Sequence, residues 1–390
     1  MPIYHRLGEI PQKRHSVFRQ SNGSLYVEEL MGNKGFTGPS SLLYHIYQPT
    51  QIKSLRHLTD LVWEADSGPN TQLRHFKTAG LPPSSSAIMN RIPLLFNNDV
   101  GALFVQPQAE DEFFYRNGQG DELIYVSDGE GVLETQFGEL AFRRGDYLVI
   151  PRGVAHRYRY TKQPVRYLIL ESAGYIRTPK RYRNEHGQLT EISPYTERDI
   201  RRPAALRARD EKGEFRLLIK KGNAITEAIL DHHPFDVIGW DGYYYPWAIN
   251  IEDFEPRVGR FHLPPPVHQT FEGDNFVVCS FCPRPFDFDP QAVPVPYNHS
   301  NVMSDEAIYY ASSEFMSRKG IEYGSLTLHP DGFSHGPHPG KTEESLGQHE
   351  THELAVMFDT FHPLQVAKGA LAVEDREYYR SWIADDFASR

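Results

Sequence analysis

One stretch of this chain is written twice. Residues Pro296 to Pro339 read PYNHSNVMSDEAIYYASSEFMSRKGIEYGSLTLHPDGFSHGPHP, and Tyr115 to His156 carry the same frame. Asp121-Glu122-Leu123-Ile124-Tyr125 aligns on Asp305-Glu306-Ala307-Ile308-Tyr309. Seven residues before each glutamate, Tyr115-Arg116-Asn117 meets His299-Ser300-Asn301. Downstream, Pro151, Gly153 and His156 meet Pro330, Gly332 and His335 at the same internal spacing. A repeat constrains architecture more than any local propensity, because each copy is one unit that buries its apolar face against the next. Within the second copy, Ala307 to Tyr310 and Gly324 to Leu328 read as strands separated by polar, Gly-containing turns. The chain therefore holds two related β-units.

The second copy carries chemistry that the first has partly lost. His299, Glu306 and His335 offer two imidazoles and one carboxylate from neighbouring strands. Such a set forms a one-sided metal cage with open positions, the arrangement of non-haem Fe(II) oxygenases. A lone His-x6-Glu is common without any site; the repeated scaffold and a second histidine at the matching strand end give this one its weight. The first copy has Tyr115 in place of His299. Asp305 competes with Glu306 for the carboxylate role; Glu306 is preferred because it aligns with Glu122 and directly precedes a strand. The pattern, with G-D-Y before a strand and P-x-G-x-x-H after it, resembles the cupin jelly roll. That resemblance implies a mainly β chain of two cupin units, only the C-terminal one holding metal. His268, His329 and His338 crowd the same region. His329 is placed to line the pocket or orient a ligand, and His268, in a Pro-rich loop, is a candidate general base.

The remaining residues bound the alternatives. The net charge is −10 and no basic block stands out, so nucleic acid is not an expected partner. No apolar run approaches the roughly 20 residues of a membrane span, and the N-terminus lacks the apolar core of a signal peptide. Two cysteines, Cys279 and Cys282, rule out a disulfide framework and fit a cytosolic protein. They fall in a strand where they do not share a face, so they are read as core residues and not as zinc ligands. HETHE at His349 to Glu353 is read as an exposed edge. Walker, Rossmann and nucleophile-elbow motifs are absent.

In chain order, residues 1–240 are expected to form an N-terminal arm and the metal-free unit, and 241–390 the metal-bearing unit. The arm has strand-like pieces at Ser24 to Glu28 and Ser41 to Tyr47. Thr178 to Asp210 is charged and Pro-containing and reads as a surface connection. The tail from Glu374 reads as a short amphipathic helix with Tyr378, Trp382, Ile383 and Phe387 on one face.

The opening YHRLGEIPQKRHSVFRQSNGSLYVEELMG, the segment DVIGWDGYYYPW, and PYNHSN with HPDGFSHGPHPG resemble the homogentisate 1,2-dioxygenase family, especially its shorter bacterial branch. The match spreads over essentially the whole chain. It implies an Fe(II) enzyme that opens the homogentisate ring with O2, giving maleylacetoacetate in tyrosine and phenylalanine breakdown. It implies His299, Glu306 and His335 as iron ligands, His268 as the residue handling the phenolic proton, and Tyr297 and His329 as pocket residues. It also implies trimers that pair into hexamers. Two positions depart from the family pattern. Better-known members place their glutamate six residues after the first histidine, where this chain has Asp305. They carry a pocket tyrosine where this chain has Phe315. Gentisate or a substituted hydroquinone is thus an alternative substrate, and a non-oxygenase metal-binding cupin an alternative function.

Overall fold

The computed structural model describes residues 3–68, 71–313 and 315–383. The chain is mainly β, as the repeat predicts. The strands that matter for the site are β1 (Phe114–Asn117), β2 (Asp121–Thr135), β3 (Asp146–Ile150) and β4 (His156–Ser172) in the first unit. Their counterparts in the second are β5 (His299–Ser300), β6 (Asp305–Tyr310), β7 (Ser325–His329), β8 (Ser334–His335) and β9 (Ala355–Thr360).

The repeat is also a repeat of strand register. Tyr115 pairs with His156 across β1 and β4, and His299 pairs with His335 across β5 and β8. Glu122 lies between Ile150 and Glu171, and Glu306 between His329 and Asp359. The turn before each second histidine contains a glycine with left-handed φ, +83° at Gly153 and +84° at Gly332. That backbone strongly favours glycine, which is why P-x-G-x-x-H recurs. The aspartates before the two glutamates do the same structural work. Asp121 accepts from the backbone N–H groups of Arg152 and Ile176, and Asp305 from those of Asp331 and Leu364.

The two units pack face to face over one large core that includes Ile124, Leu148, Leu168, Leu326 and Phe358. Tyr125 and Tyr309, which occupy equivalent places, meet at 6.2 Å. Ser127 Oγ hydrogen-bonds the hydroxyls of Tyr309 and Tyr323, and Tyr147 OH bonds Ser280 Oγ at 2.8 Å. The halves also exchange edges. Arg74–Lys77 pairs with β7, and Gln365–Val366 with Ile92–Phe96. The arm forms a four-stranded sheet of His5–Gly8, Val27–Gly32 and Ser40–His45 with Val237–Gly242.

Two elements differ from the sequence reading. The connection through residues 178–210 is not a surface passage. Its Tyr182, Leu189, Tyr195 and Ile200 are buried, and the hydroxyls of Tyr182 and Tyr195 donate to the carbonyls of Gln269 and Thr270. Runs of charge such as Lys180-Arg181, Glu197-Arg198-Asp199 and Arg201-Arg202 masked the buried residues between them. Among the described residues from Glu374 onward the helix is one 3-10 piece, Tyr378–Trp382, with Tyr378 buried and Ile383 exposed. The rings of Tyr378 and Trp382 lie 6.3 and 6.1 Å from that of His329, whereas Ile383, extended past the end of the helix, turns out to solvent; Phe387 lies outside the described residues. Among the described residues no helix is long and apolar enough to cross a membrane.

Candidate metal centre

Register brings the three candidate ligands together. One ligand atom from each of His299, Glu306 and His335 lies within 4.8 Å of the others. The Nδ1–H groups of His299 and His335 donate to the carbonyls of Tyr297 and Phe333, each two residues upstream. This leaves both Nε2 atoms as lone-pair acceptors aimed at the Glu306 carboxylate, each 3.4 Å from one of its oxygens. His335 Nε2 is buried and has no hydrogen-bond partner. Three such acceptors repel unless a proton or a cation lies among them, and two nitrogens and a carboxylate converging on one point fit a divalent metal. Two imidazoles and a carboxylate suit Fe, Zn, Ni and related ions. Asp305, one residue away on the alternate side of the strand, has its carboxylate committed to two backbone N–H groups and takes no part in the cluster.

His329 holds the carboxylate in place. Its Nδ1–H donates to Glu306 Oε1 at 2.8 Å, its Nε2 accepts from Tyr378 OH at 3.3 Å, and its ring stacks on His335 at 4.8 Å. The 3-10 helix therefore reaches the Glu306 carboxylate through one imidazole. Trp382 adds an N–H bond to the carbonyl of Gly336, and Ser381 a bond to His338. Burial pushes the Glu306 carboxyl up, but the three histidines around it outweigh burial and hold it well below the usual carboxylate range. Burial depresses His329 to about 4, so its ring is neutral at neutral pH.

The face of β6 that bears Glu306 continues through Ile308 and Tyr310. Register sets Asp359, Met357 and Ala355 beside them, with Cys279 next to Met357. Cys279, Ile308, Tyr310, Ala355 and Met357 form a separate apolar cluster joined by Phe281, Phe315 and Ile321. Phe315 meets Tyr310 edge-on at 4.7 Å. His268 ends the 3-10 helix Pro265–His268 and lies 4.8 Å from Phe281. Burial, with Arg284 and His262 nearby, pushes His268 down to about 3. Tyr297 is 59% exposed, its ring 6.4 Å from that of His299.

Asp359 escaped the sequence reading. It sits across the strand from Glu306, one carboxylate oxygen is buried without a partner, and burial next to the Glu306 charge raises its pKa. The signal was there: an acidic residue within the apolar run AVMFDT. Tyr378 and Trp382 were noted for their periodicity and not for what they touch.

Comparisons with known proteins follow the same lines. Residues 100–251 match the family model described as homogentisate 1,2-dioxygenase N-terminal. The protein named "Putative dioxygenase" in Saccharolobus solfataricus is 43% identical over 98% of this chain and 99% of its own length. The homogentisate 1,2-dioxygenase of Nitrobacter hamburgensis is 27% identical over 98% of this chain and 89% of its own. That of Rhodopseudomonas palustris strain HaA2 is 25% identical over 93% and 86%. Among solved structures, a cupin 2 conserved barrel domain protein from Leptotrichia buccalis aligns over 77% of this chain and 99% of its own, at 9% identity and a TM-score of 0.34. At that score it adds nothing to the strand register above.

Proposed function

Since this chain belongs to the homogentisate dioxygenase family, we propose that it is an Fe(II)-dependent dioxygenase that opens the ring of homogentisate with O2, giving maleylacetoacetate. In this reading residues 241–390 carry the metal on His299, Glu306 and His335, and 1–240 supply the arm and a metal-free unit. The observation that carries the proposal is the N2O acceptor face set at the end of an aromatic-lined cluster. Ferrous iron held there would supply the redox contact that dioxygen needs to react with a closed-shell aromatic.

The protein's own residues do the rest. Backbone carbonyls hold His299 and His335 in the tautomer that offers Nε2. His329 fixes the carboxylate through its Nδ1–H. Ile308, Met357 and Phe281 give an apolar wall for a ring and keep water out. His268, neutral through the physiological range, accepts the proton of a ring hydroxyl at one of its ring nitrogens. Tyr297 and His329 are the residues proposed to bound the substituent.

A second para-dihydroxy substrate, gentisate or a substituted hydroquinone, is favoured by one observation. Phe315 packs in apolar contact with Tyr310 where a hydroxyl-bearing residue would offer a hydrogen bond. Oxygen uptake by iron-loaded protein on homogentisate, gentisate and hydroquinone tests both. Fastest turnover on homogentisate supports the proposal, and fastest turnover on another ring moves the substrate. No uptake with any of them would leave a metal-binding cupin that is not an oxygenase.

A further inference from the structure

The first unit keeps most of the cage, and something positive already fills it. Glu122, the counterpart of Glu306, is fully buried. Both of its oxygens accept from one guanidinium, Arg91 Nη1 at 2.7 Å and Nη2 at 2.9 Å. Arg91 Nε donates to the carbonyl of Ala87, which fixes the fork, and the guanidinium lies 5.4 Å over the ring of Tyr115. Tyr115 stands where the second unit has His299, and its hydroxyl donates to Glu122 at 3.3 Å. His156, the counterpart of His335, donates Nδ1–H to the carbonyl two residues upstream at 3.0 Å, just as His335 does. Its Nε2 is likewise buried without a partner.

We infer that the N-terminal unit is a metal cage whose cation is built into the chain, the Arg91 guanidinium standing where a divalent ion would bind. A carboxylate buried this deeply stays ionised when a positive partner or strong donors compensate it, and here the partner is a full charge. The second unit leaves that partner to come from solution, which makes it a site. The first supplies it covalently, which makes it scaffold. The carboxylate and one imidazole remain in their ligand poses, and Asn117 Nδ2 donates to Glu122 Oε1 at 2.9 Å as His329 donates to Glu306 Oε1, so exclusion of metal rests on Arg91 and Tyr115. Removing the guanidinium and restoring the histidine should open a second site for a divalent ion of nitrogen and oxygen preference.

The inference rests on His299, Glu306 and His335 being the metal ligands of the second unit, so the test is run with that centre disabled. Glu306→Ala is expected to bind no Co2+ by metal analysis and visible absorption. Adding Arg91→Met and Tyr115→His is expected to restore about one tightly held Co2+ per chain with tetrahedral or five-coordinate absorption bands. If Glu306→Ala alone retains Co2+, the reading of the C-terminal centre falls, and the inference with it. If Glu306→Ala is empty and the folded triple variant is empty too, the inference alone is overturned. Should the triple variant not fold, thermal melts of full-length protein decide. Arg91→Lys should melt near the parent and Arg91→Met well below it. Adding Glu122→Gln to Arg91→Met should recover much of the loss, because the buried charge leaves with its partner. No recovery would mean that Arg91 is not the cation Glu122 requires.

Discussion

His329→Leu isolates what a residue beside the proposed metal ligands, but not itself one of them, contributes. The side chain is fully buried and gives Glu306 Oε1 a 2.8 Å hydrogen bond. Leucine fills similar space without a donor, so the carboxylate loses an N–H partner in a site that water does not replace. Loss of a hydrogen bond to a charged group costs roughly 1.5–3 kcal/mol. Partners of ligating groups are typically worth 10–100-fold in metal affinity, or about 1.4–2.7 kcal/mol, so two independent scales agree. Anaerobic competition of Fe(II) or Co(II) against a chelating dye should therefore show affinity weakened by about 10–100-fold, with metal still bound at high concentration. His329→Asn carries an amide N–H near the position of Nδ1 and should recover part of that loss. Affinity within twofold of the parent in His329→Leu would refute the reasoning, as would an Asn variant no better than Leu.

Three further outcomes follow from the geometry. Glu306→Ala should lose metal and keep the fold, whereas Asp305→Ala, which strips two backbone N–H groups of their acceptor, should keep metal in the cold and melt lower by about 1–3 kcal/mol for each bond lost; metal analysis and thermal melts separate the two. His268→Phe should retain metal and lose about 10²–10⁴-fold in turnover. Because burial holds His268 near 3, it stays unprotonated in the folded protein well below its unfolded pKa. It therefore adds no acidic limb between pH 5 and 8. Its sign in stability is a loss as pH falls from about 6.5 toward 3, since the unfolded chain binds the proton first, and His268→Phe should flatten that loss in denaturant titrations at stepped pH. Phe315→Tyr should raise kcat/KM for homogentisate relative to hydroquinone if a hydroxyl there reaches a substrate carboxylate, and an unchanged ratio would remove Phe315 from the specificity argument.

How much of this is legible in the sequence depends on whether the information is local. The repeat was legible because P-x-G-x-x-H encodes a turn, and a glycine at φ near +84° leaves its mark in any sequence that needs it. Asp305 and Glu306 could not be separated by spacing alone. What separates them is that one side of β6 faces backbone donors at Asp331 and Leu364 while the other faces three imidazoles. The same limit hid Arg91. It lies 31 residues before Glu122, outside the repeated frame, and nothing in the sequence ties an arginine on one strand's approach to a glutamate on another. Asp359 and Tyr378 reach Glu306 or His329 only through pairing between distant segments. The ligands of such a centre are thus written in turns and strand ends, where sequence is eloquent. The residues that set its charge and hold its carboxylate are written in register, which only the folded chain displays. That division predicts where a relative will differ in function without altering its recognisable motif: at the positions of Asp359, Phe315 and Tyr378, not at the histidines.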